Sequence, residues 1–443
     1  MNLMFFALST AGYGETVIGL SLARQLEPLG VRSHFVISPV SEQVLKRSGI
    51  PYTTIEPRMG RLVRLLLDEE VTQFKPDAIV LSDYYTFTGV FRERFGLHSW
   101  FIEEYGIPIL PIDIWEWDKT SCAVDMFEED RPADQRILDL DVHLRPVPLA
   151  HPEREGRAYP FRLWEGTERV TRRTKRHLYE TFGLRPRDRL VLLTIAPWQH
   201  MPEDKYLSSI GTHVLSGVPR LLAHYLAQLP DSTHFLVIGE VPPELAALPA
   251  DRVHALPPCS PARFTTMLGA ADLVLSLNIG ATTLGRAVLS NIPAVVLTNG
   301  FAVPDASAIG AVEARLGGLT PAVRSWLEGM LPLHQMRMWP LGFHDFLEPI
   351  LKDNPYTGAF TDLELLDEPG VVQGIEQALY DTATRDRLAA GRAEYLTILD
   401  AQVDTRAVFT EAASRVYVWA FASVALSCWS KMWLCVQASS KTR

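Results

Sequence analysis

The chain is poor in cysteine, with four in 443 residues, and they set out no pattern. Cys122 and Cys259 stand alone, and no Cys-x-x-Cys or Cys/His cluster has the spacing of a metal site. That excludes a disulfide framework and fits a reducing, cytoplasmic setting. An excess of positive charge is also lacking. The net charge is -10, whereas a protein that coats nucleic acid needs a basic patch to displace counterions. The one basic run, Arg169-Val-Thr-Arg-Arg-Thr-Lys-Arg176, reads as a solvated helix face. Long apolar runs are missing too. Met1–Leu8 is apolar but has no basic residues before it, and it is too short for a signal peptide, so it reads as a buried strand. The segment Val416–Val436 carries Lys431 and holds no clean run of about 18 apolar residues. It is expected to dock on the protein or form an accessory extension, with membrane-surface contact and a spanning helix as the other options. There is no P-loop, no Gly-x-Ser-x-Gly elbow and no Ser-His-Asp order.

What is present is a long chain, 47% hydrophobic and 21% charged, as expected of a soluble globular protein with two domains. Its first part alternates short apolar runs with helical periodicity. Strands are expected at Leu3–Ser9, Val31–Ser38, Tyr52–Ile55, Asp77–Leu81 and Ile109–Ile114, with helices between them. Such βαβ alternation gives a parallel sheet covered on both faces, with ligands at the carboxyl ends of the strands. A Pro- and charge-rich stretch, Arg145–Tyr159, breaks the pattern and is the expected linker and hinge, with His143 and His151 at the surface. A helix over Glu165–Phe182 follows, and the alternation restarts with strands at Leu190–Ile195, His234–Gly239, Val253–Leu256, Leu273–Leu277 and Ala294–Leu297. Beyond Thr298 a strand at Met336–Phe343, a polar loop at Asp353–Pro369 and two closing helices are expected. The fold class is therefore α/β with two Rossmann-like domains facing a central cleft. The expected divisions are residues 1–150, residues 160–370, helices at 371–415 returning to the first domain, and an atypical apolar tail at 416–443.

The segment Ala271–Thr298 carries most of the chemistry. A short apolar strand runs into Asn278-Ile-Gly280-Ala281-Thr282-Thr283, where a helix begins, and Asn291-Ile-Pro293 closes that helix before a second buried strand. A helix N-terminus presents unpaired N–H groups and the positive end of the dipole, which suits a phosphate. An ordinary crossover capped by Asn and Thr has the same pattern. The first glycine loop spaces Gly12, Gly14 and Gly19 in a way that departs from Gly-x-Gly-x-x-Gly. The second strand ends in Ile37-Ser38 with no acid to hold a ribose diol. Both features count against a dinucleotide-dependent dehydrogenase.

Residues 1–300 resemble nucleotide-sugar glycosyltransferases of the GT-B type, in particular the UDP-N-acetylglucosamine transferase of peptidoglycan synthesis and its relatives. The resemblance rests on Gly14-Glu-Thr-Val-Ile-Gly-Leu-Ser-Leu-Ala23, His254-Ala-Leu-Pro-Pro258, Phe264–Ser276, Asn278–Ala287 and Ser290–Leu297. It implies a GT-B fold and metal-independent, inverting transfer of a sugar from a nucleoside diphosphate to a small-molecule or lipid-linked acceptor. No metal and no cofactor beyond the nucleotide-sugar co-substrate are expected, and no nucleic-acid partner. Glu15 stands where relatives often carry a His. It is the candidate base, or else a first-turn acid that favours the helix dipole. Arg286 stands where relatives carry a ribose-binding Glu. Arg is donor-only and better suited to a phosphate. The other donor-side candidates are Thr194, Trp198, Gln199, Asn278, Gly280, Ala281, Thr282, Thr283, Glu364 and Asp367. On the acceptor side they are Gly12, Gly14, Asp83, Tyr84, Asp113 and Trp115, whose aromatic members suit a sugar ring or a flat aglycone. Two other functions fit the same fold: a non-catalytic binding subunit and a nucleotide-sugar 2-epimerase.

Overall fold

The structure is a computed structural model, which describes residues 1–9, 12–120, 135–165, 170–196, 199, 213–402 and 404–416. In the first half the order is β1 (Asn2–Ala7), α1 (Gly14–Leu26), β2 (Arg32–Ile37), α2 (Glu42–Lys46), β3 (Tyr52–Thr54), α3 (Val63–Phe74), β4 (Ala78–Leu81), α4 (Tyr84–Phe95) and β5 (Ile109–Pro111). The short α5 (Gln135–Leu138) and the strands β6 (His143–Val147) and β7 (Ala158–Arg162) follow. The second half runs α6 (Arg172–Thr181), β8 (Arg189–Ile195), α7 (His213–Ala227), β9 (Thr233–Gly239), α8 (Pro243–Ala246), β10 (Val253–Leu256), α9 (Pro261–Ala270), β11 (Leu273–Ser276), α10 (Thr282–Leu289) and β12 (Ala294–Thr298). It closes with α11 (Ile309–Leu316), α12 (Pro321–Gly329), α13 (His344–Leu351), β13 (Thr361–Glu364), α14 (Glu368–Tyr380) and α15 (Thr382–Gln402). A last helix covers 405–416.

The two main sheets share one topology. The first is ordered β3-β2-β1-β4-β5 and the second β10-β9-β8-β11-β12-β13, all parallel. Each reverses its strand order beside its first strand, and that switch point opens a crevice at the carboxyl edge. Successive side chains of a strand point to opposite faces. Accordingly Leu190, Leu192, Leu236, Val274 and Val296 join a core continuous with the first half, through α9, α10 and α13. Their neighbours Val191, Leu193, Val237, Leu275 and Val295 pack with α7, α12 and α14 on the far face. The fold is thus the expected α/β pair of Rossmann-like domains, with the carboxyl edges of both sheets lining one cleft.

Two glycines are required by close approach. A Cβ at Gly19 would lie 2.4 Å from Ser82 Oγ, just past β4, so a side chain there would force α1 or Ser82 to shift. Gly239 has φ +123 and its Cβ would lie 2.1 Å from the Ile195 carbonyl oxygen.

Several expectations are corrected. The stretch Arg145–Tyr159 is not an open linker. β6 and β7 pair in parallel, and Arg145, Val147 and Tyr159 are buried. His143 is buried rather than exposed. His151 bridges the halves: its Nδ1 lies 3.0 Å from Glu116 Oε1 and its Nε2 lies 3.0 Å from the Lys352 carbonyl oxygen. The helix expected from Glu165 starts at Arg172, where the Thr171 hydroxyl caps it by accepting from Thr174 N. Arg172, Arg173 and Arg176 are exposed, as a solvated face requires. Met336–Phe343 forms only isolated bridges, one of them from Met338 to Asn278. The expected polar loop contains β13, which extends the second sheet. Its sequence, Thr-Asp-Leu-Glu, lacks the apolar run of a buried strand.

The closing helices return to the first half. Asp400 pairs with Arg162, Arg406 donates to the Gln25 carbonyl, and Glu411 pairs with Arg154. Among the described residues no helix is long and apolar enough to cross a membrane. The rest of the apolar tail, 417–443, lies outside the described residues.

Candidate functional site

A cavity of about 1240 Å³ fills the cleft between the two carboxyl edges. Its second-half wall is built on the strand-to-helix turn at 276–283. Asn278 Oδ1 accepts from Gly280 N at 2.8 Å, and Asn278 N donates to Ser276 Oγ at 3.1 Å. After this Asx turn α10 starts at Thr282, and the residues of its first turn line the cavity. Ala281 is the N-cap and has no side-chain cap bond. The N-terminus is therefore not satisfied by its own cap residue. Thr283 Oγ1 accepts from Thr194 Oγ1 at 3.2 Å, which ties the end of β8 to the first turn of α10. Thr194, Asn278, Gly280, Ala281, Thr282, Thr283 and Arg286 all line the cavity.

Arg286 sits one turn further along α10 and is only 7% exposed. Its guanidinium stacks between Trp164, at 4.3 Å, and Phe264, at 4.8 Å, and donates to Thr265 Oγ1 at 2.9 Å. Such stacking holds the charge in place. Gln199 also lines the cavity, but both ends of its amide are engaged by the fold: Oε1 accepts from Ala196 N and Nε2 donates to the Trp339 carbonyl. Trp198 lies outside the described residues.

The first-half wall supplies Ser9, Gly12, Gly14 and Glu15, with Trp115 from the turn after β5. Ser9 Oγ accepts from Gly12 N at 3.0 Å and is hydrogen-bonded to the Glu15 carboxylate. One Glu15 oxygen, Oε2, is buried with no hydrogen-bond partner. Burial raises its pKa, against the opposing pull of its own backbone N–H and of Ser9. Asp83 is the N-cap of α4, 3% exposed, and accepts from Tyr85 N and Thr86 N. Burial first, and the Glu15 charge second, push its carboxyl up to about 7. Glu15 thus presents a carboxyl of raised pKa to the cavity, while Asp83 lies behind the lining and feels the Glu15 charge.

Five sequence candidates lie outside this lining: Asp83, which caps α4, and four others that serve the fold. The oxygens of Glu364 accept from Gly300 N at 2.8 Å and Leu366 N at 3.1 Å. Asp367 is the N-cap of α14. Asp113 accepts from Arg145 Nε at 3.1 Å and from Trp117 N at 3.2 Å. Tyr84 is 2% exposed inside α4. An acid at a strand end reads as cleft-facing from sequence, whereas here Asp113 is drawn back by an arginine some thirty residues later. The reverse also occurs. Trp164, Phe264, Met338 and Phe343 line the cavity, and nothing in their spacing marks them, because each comes from a loop or helix packed by tertiary contacts. Among the described residues no group of three or more His, Cys, Asp or Glu could hold a metal ion.

This fold and cleft define a GT-B-type architecture. The chain belongs to a family of unknown function (DUF6365), whose model matches residues 22–420. No match was found among curated protein sequences. Among solved structures it is similar to Alr3699/HepE of Anabaena in complex with UDP and glucose, at 13% identity and TM-score 0.53, over 94% of this chain and 100% of that one. It is similar to the glycosyltransferase VinC in complex with dTDP, at 13% identity and TM-score 0.51, over 94% and 99%. It is also similar to a putative UDP-N-acetylglucosamine 2-epimerase from Listeria monocytogenes, at 13% identity and TM-score 0.50, over 89% and 94%. At these identities the likeness establishes the fold alone.

Proposed function

We propose that the protein is a glycosyltransferase that moves a sugar from a nucleoside diphosphate to an acceptor hydroxyl, with inversion and without a metal ion. One observation carries the reading: the N-terminus of α10, uncapped by a side chain, and the partnerless oxygen of Glu15 line one cavity. The N–H groups of α10 and the Thr282 and Thr283 hydroxyls would hold the diphosphate and offset the charge that grows as it leaves. Glu15 would take the acceptor proton while the acceptor oxygen attacks the anomeric carbon and the bond from that carbon to the diphosphate oxygen breaks. A carboxylate with a raised pKa is a better base for this step than an ordinary one. The complexes of structural neighbours with UDP and dTDP support the donor class. Trp115 and Phe343 offer an apolar face for the acceptor on the β5 side.

The test is a thermal-shift screen with UDP, dTDP, GDP, ADP and CMP in the absence of metal. A ligand that binds only the folded state raises its melting temperature. A shift with one nucleoside diphosphate, followed by turnover of its sugar derivative to that nucleoside diphosphate and a glycoside, supports the proposal. No shift on well-folded protein discards it in favour of a non-catalytic subunit, and a 2-epimerised nucleotide sugar as product discards it in favour of an epimerase.

A further inference from the structure

One side chain between the two halves is asked to donate twice. His151 stands in the loop between β6 and β7. Its backbone N–H donates to Glu116 Oε1, and its ring Nδ1 lies 3.0 Å from Glu116 Oε1 and 3.2 Å from Oε2. Across the ring, Nε2 lies 3.0 Å from the carbonyl oxygen of Lys352, the C-cap of α13. An ionised carboxylate and a carbonyl are both acceptors only. A neutral imidazole has one N–H and one lone pair, so either tautomer would aim a lone pair at one of the two oxygens. Only the imidazolium, with two N–H donors, satisfies both contacts.

The surroundings favour that form. Burial works against the Glu116 charge, but His151, Arg145 and Lys119 outweigh it and keep the carboxyl ionised. The hydrogen bond to Glu116 raises the His151 pKa above the ordinary histidine value, helped by the Glu116 charge and the Lys352 carbonyl, against burial and the Lys119 charge. The turn after β5 brings Lys119, which lies 3.0 Å from Glu116 and 3.5 Å from Glu155. β6 brings Arg145, 3.5 Å from Glu116. Glu153 on the loop, and Lys352 and Asp353 at the end of α13, are exposed.

What the ring joins is the apolar wall of the cavity. Glu116 follows Trp115, and α13 follows Phe343, and both aromatic residues line the cavity. The Trp115 ring centre lies 6.1 Å from that of Phe343 and 5.7 Å from that of Phe346, and Trp117 lies 5.6 Å from Phe346. Such contacts are non-directional, so polar ties set how firmly α13 is seated. The neighbouring tie, from Asn354 Nδ2 to the Leu149 carbonyl at 2.8 Å, does not titrate. The tie through His151 does.

We infer that His151 is a proton-operated clasp: as an imidazolium it fastens the C-terminal end of α13 to the turn after β5, and as a neutral ring it lets that end go. The clasp governs how the Phe343 face of the cleft is held on the Trp115 face, and it stands whether or not the cleft transfers a sugar. A neutral ring keeps its one N–H on the charged partner, Glu116, and gives up Lys352, so α13 is the part that loosens. Because the folded pKa lies above the unfolded one, the clasp is fully fastened below about pH 6.5 and is released as pH rises through the folded value.

Hydrogen exchange of the full chain, followed by mass spectrometry at pH 6 and pH 9 with times scaled for the intrinsic rates, tests the clasp. Peptides covering 344–354 report on α13, and peptides covering β8 and β9 report on the fold. In wild type the protection of 344–354 is expected to fall about tenfold between the two pH values, as for one hydrogen bond from a charged donor, with β8 and β9 unchanged. His151→Gln has no proton to lose and is expected to abolish that pH dependence. Equal protection of 344–354 at both pH values in wild type overturns the inference. So does a fall shared by β8 and β9, or the same fall in His151→Gln. Should the variant not fold, the wild-type profile decides alone.

Discussion

Both walls of the cleft present helix N-termini at the carboxyl edge of a parallel sheet, but they satisfy them differently. In the first half the helices begin with acids: Glu15 lies in the first turn of α1, and Asp83 caps α4 by accepting from Tyr85 N and Thr86 N. In the second half, α10 begins with Ala281, Thr282 and Thr283 and has no acid in its first turn. The first wall carries its own negative charge, and the second leaves room for one from outside. Under the proposed function the same architecture would offer a proton acceptor on one side and an anion site on the other, and the sequence difference between the walls comes down to a handful of side chains.

The sharpest way to break this comparison is to remove the charge from the first wall. Glu15→Gln keeps shape and polarity but cannot take a proton. It is expected to lower kcat by about 10²- to 10⁴-fold, the range typical of general base catalysis, and to leave nucleoside diphosphate affinity nearly unchanged. Steady-state kinetics with the cognate nucleotide sugar, together with calorimetric binding, checks this. Full activity would reduce Glu15 to an acid that merely favours the helix dipole.

Behind the first wall lies a second contrast. Its turn after β5 is held by ions, whereas the facing segment at Met338–Phe343 packs by apolar contact. Glu116, 0% exposed and at φ +47, is contacted by Lys119 at 3.0 Å, by His151 and by Arg145 at 3.5 Å. Burial opposes its ionisation, but His151, Arg145 and Lys119 outweigh burial and hold the pKa near 2. A carboxyl whose folded pKa lies below its ordinary value contributes stability above that ordinary value, and loses it as pH falls through the folded one. Glu116→Ala is expected to cost on the order of 3 kcal/mol at pH 7, because it strips a partner from a buried arginine. The loss should shrink between roughly pH 4.5 and 2, as wild type forfeits the same interaction. Denaturant unfolding across that range measures it.

A smaller effect probes the second wall. Thr283→Val removes the hydroxyl that meets Thr194 and faces the diphosphate position, while preserving volume and burial. Nucleoside diphosphate affinity is expected to fall by about tenfold, one hydrogen bond to a charged group, with little change in melting temperature without ligand. An unchanged affinity would move the diphosphate away from α10.

The contrast between the walls was only partly legible in the sequence. The strand-turn-helix at 271–298 was legible because everything it needs is local: an apolar strand, an Asx turn and a helix start follow one another in the chain. The two sheets were legible for the same reason, since apolar runs and helical periodicity are short-range signals. The clasp of β6 and β7 was not, because Pro and charge mark a loop locally while Arg145 is buried by acids on another segment. β13 was hidden because its pairing with β12 comes from tertiary context rather than an apolar pattern. Among site candidates, Thr194 and Thr283 line the cavity, and their place at a strand end and a helix start marks them locally. Glu364 and Asp367 were chosen by residue type, and their carboxylates had already been claimed by neighbouring backbone N–H groups.

The smallest expected effect returns to the carboxyl that feels the Glu15 charge. Asp83→Asn keeps an oxygen that can cap α4, since Asn and Asp are comparable N-caps, but removes the charge. The folded pKa of Asp83, about 7, lies above its ordinary value. Such a group favours the fold when protonated, so wild type loses stability as pH rises from about 4 through 7. Asparagine cannot ionise and escapes that loss. The variant should therefore melt with wild type near pH 4 and a few degrees above it at pH 8. Differential scanning calorimetry at the two pH values decides the matter. A variant that melts below wild type at pH 8 would mean that Asp83 is charged and partnered in the fold.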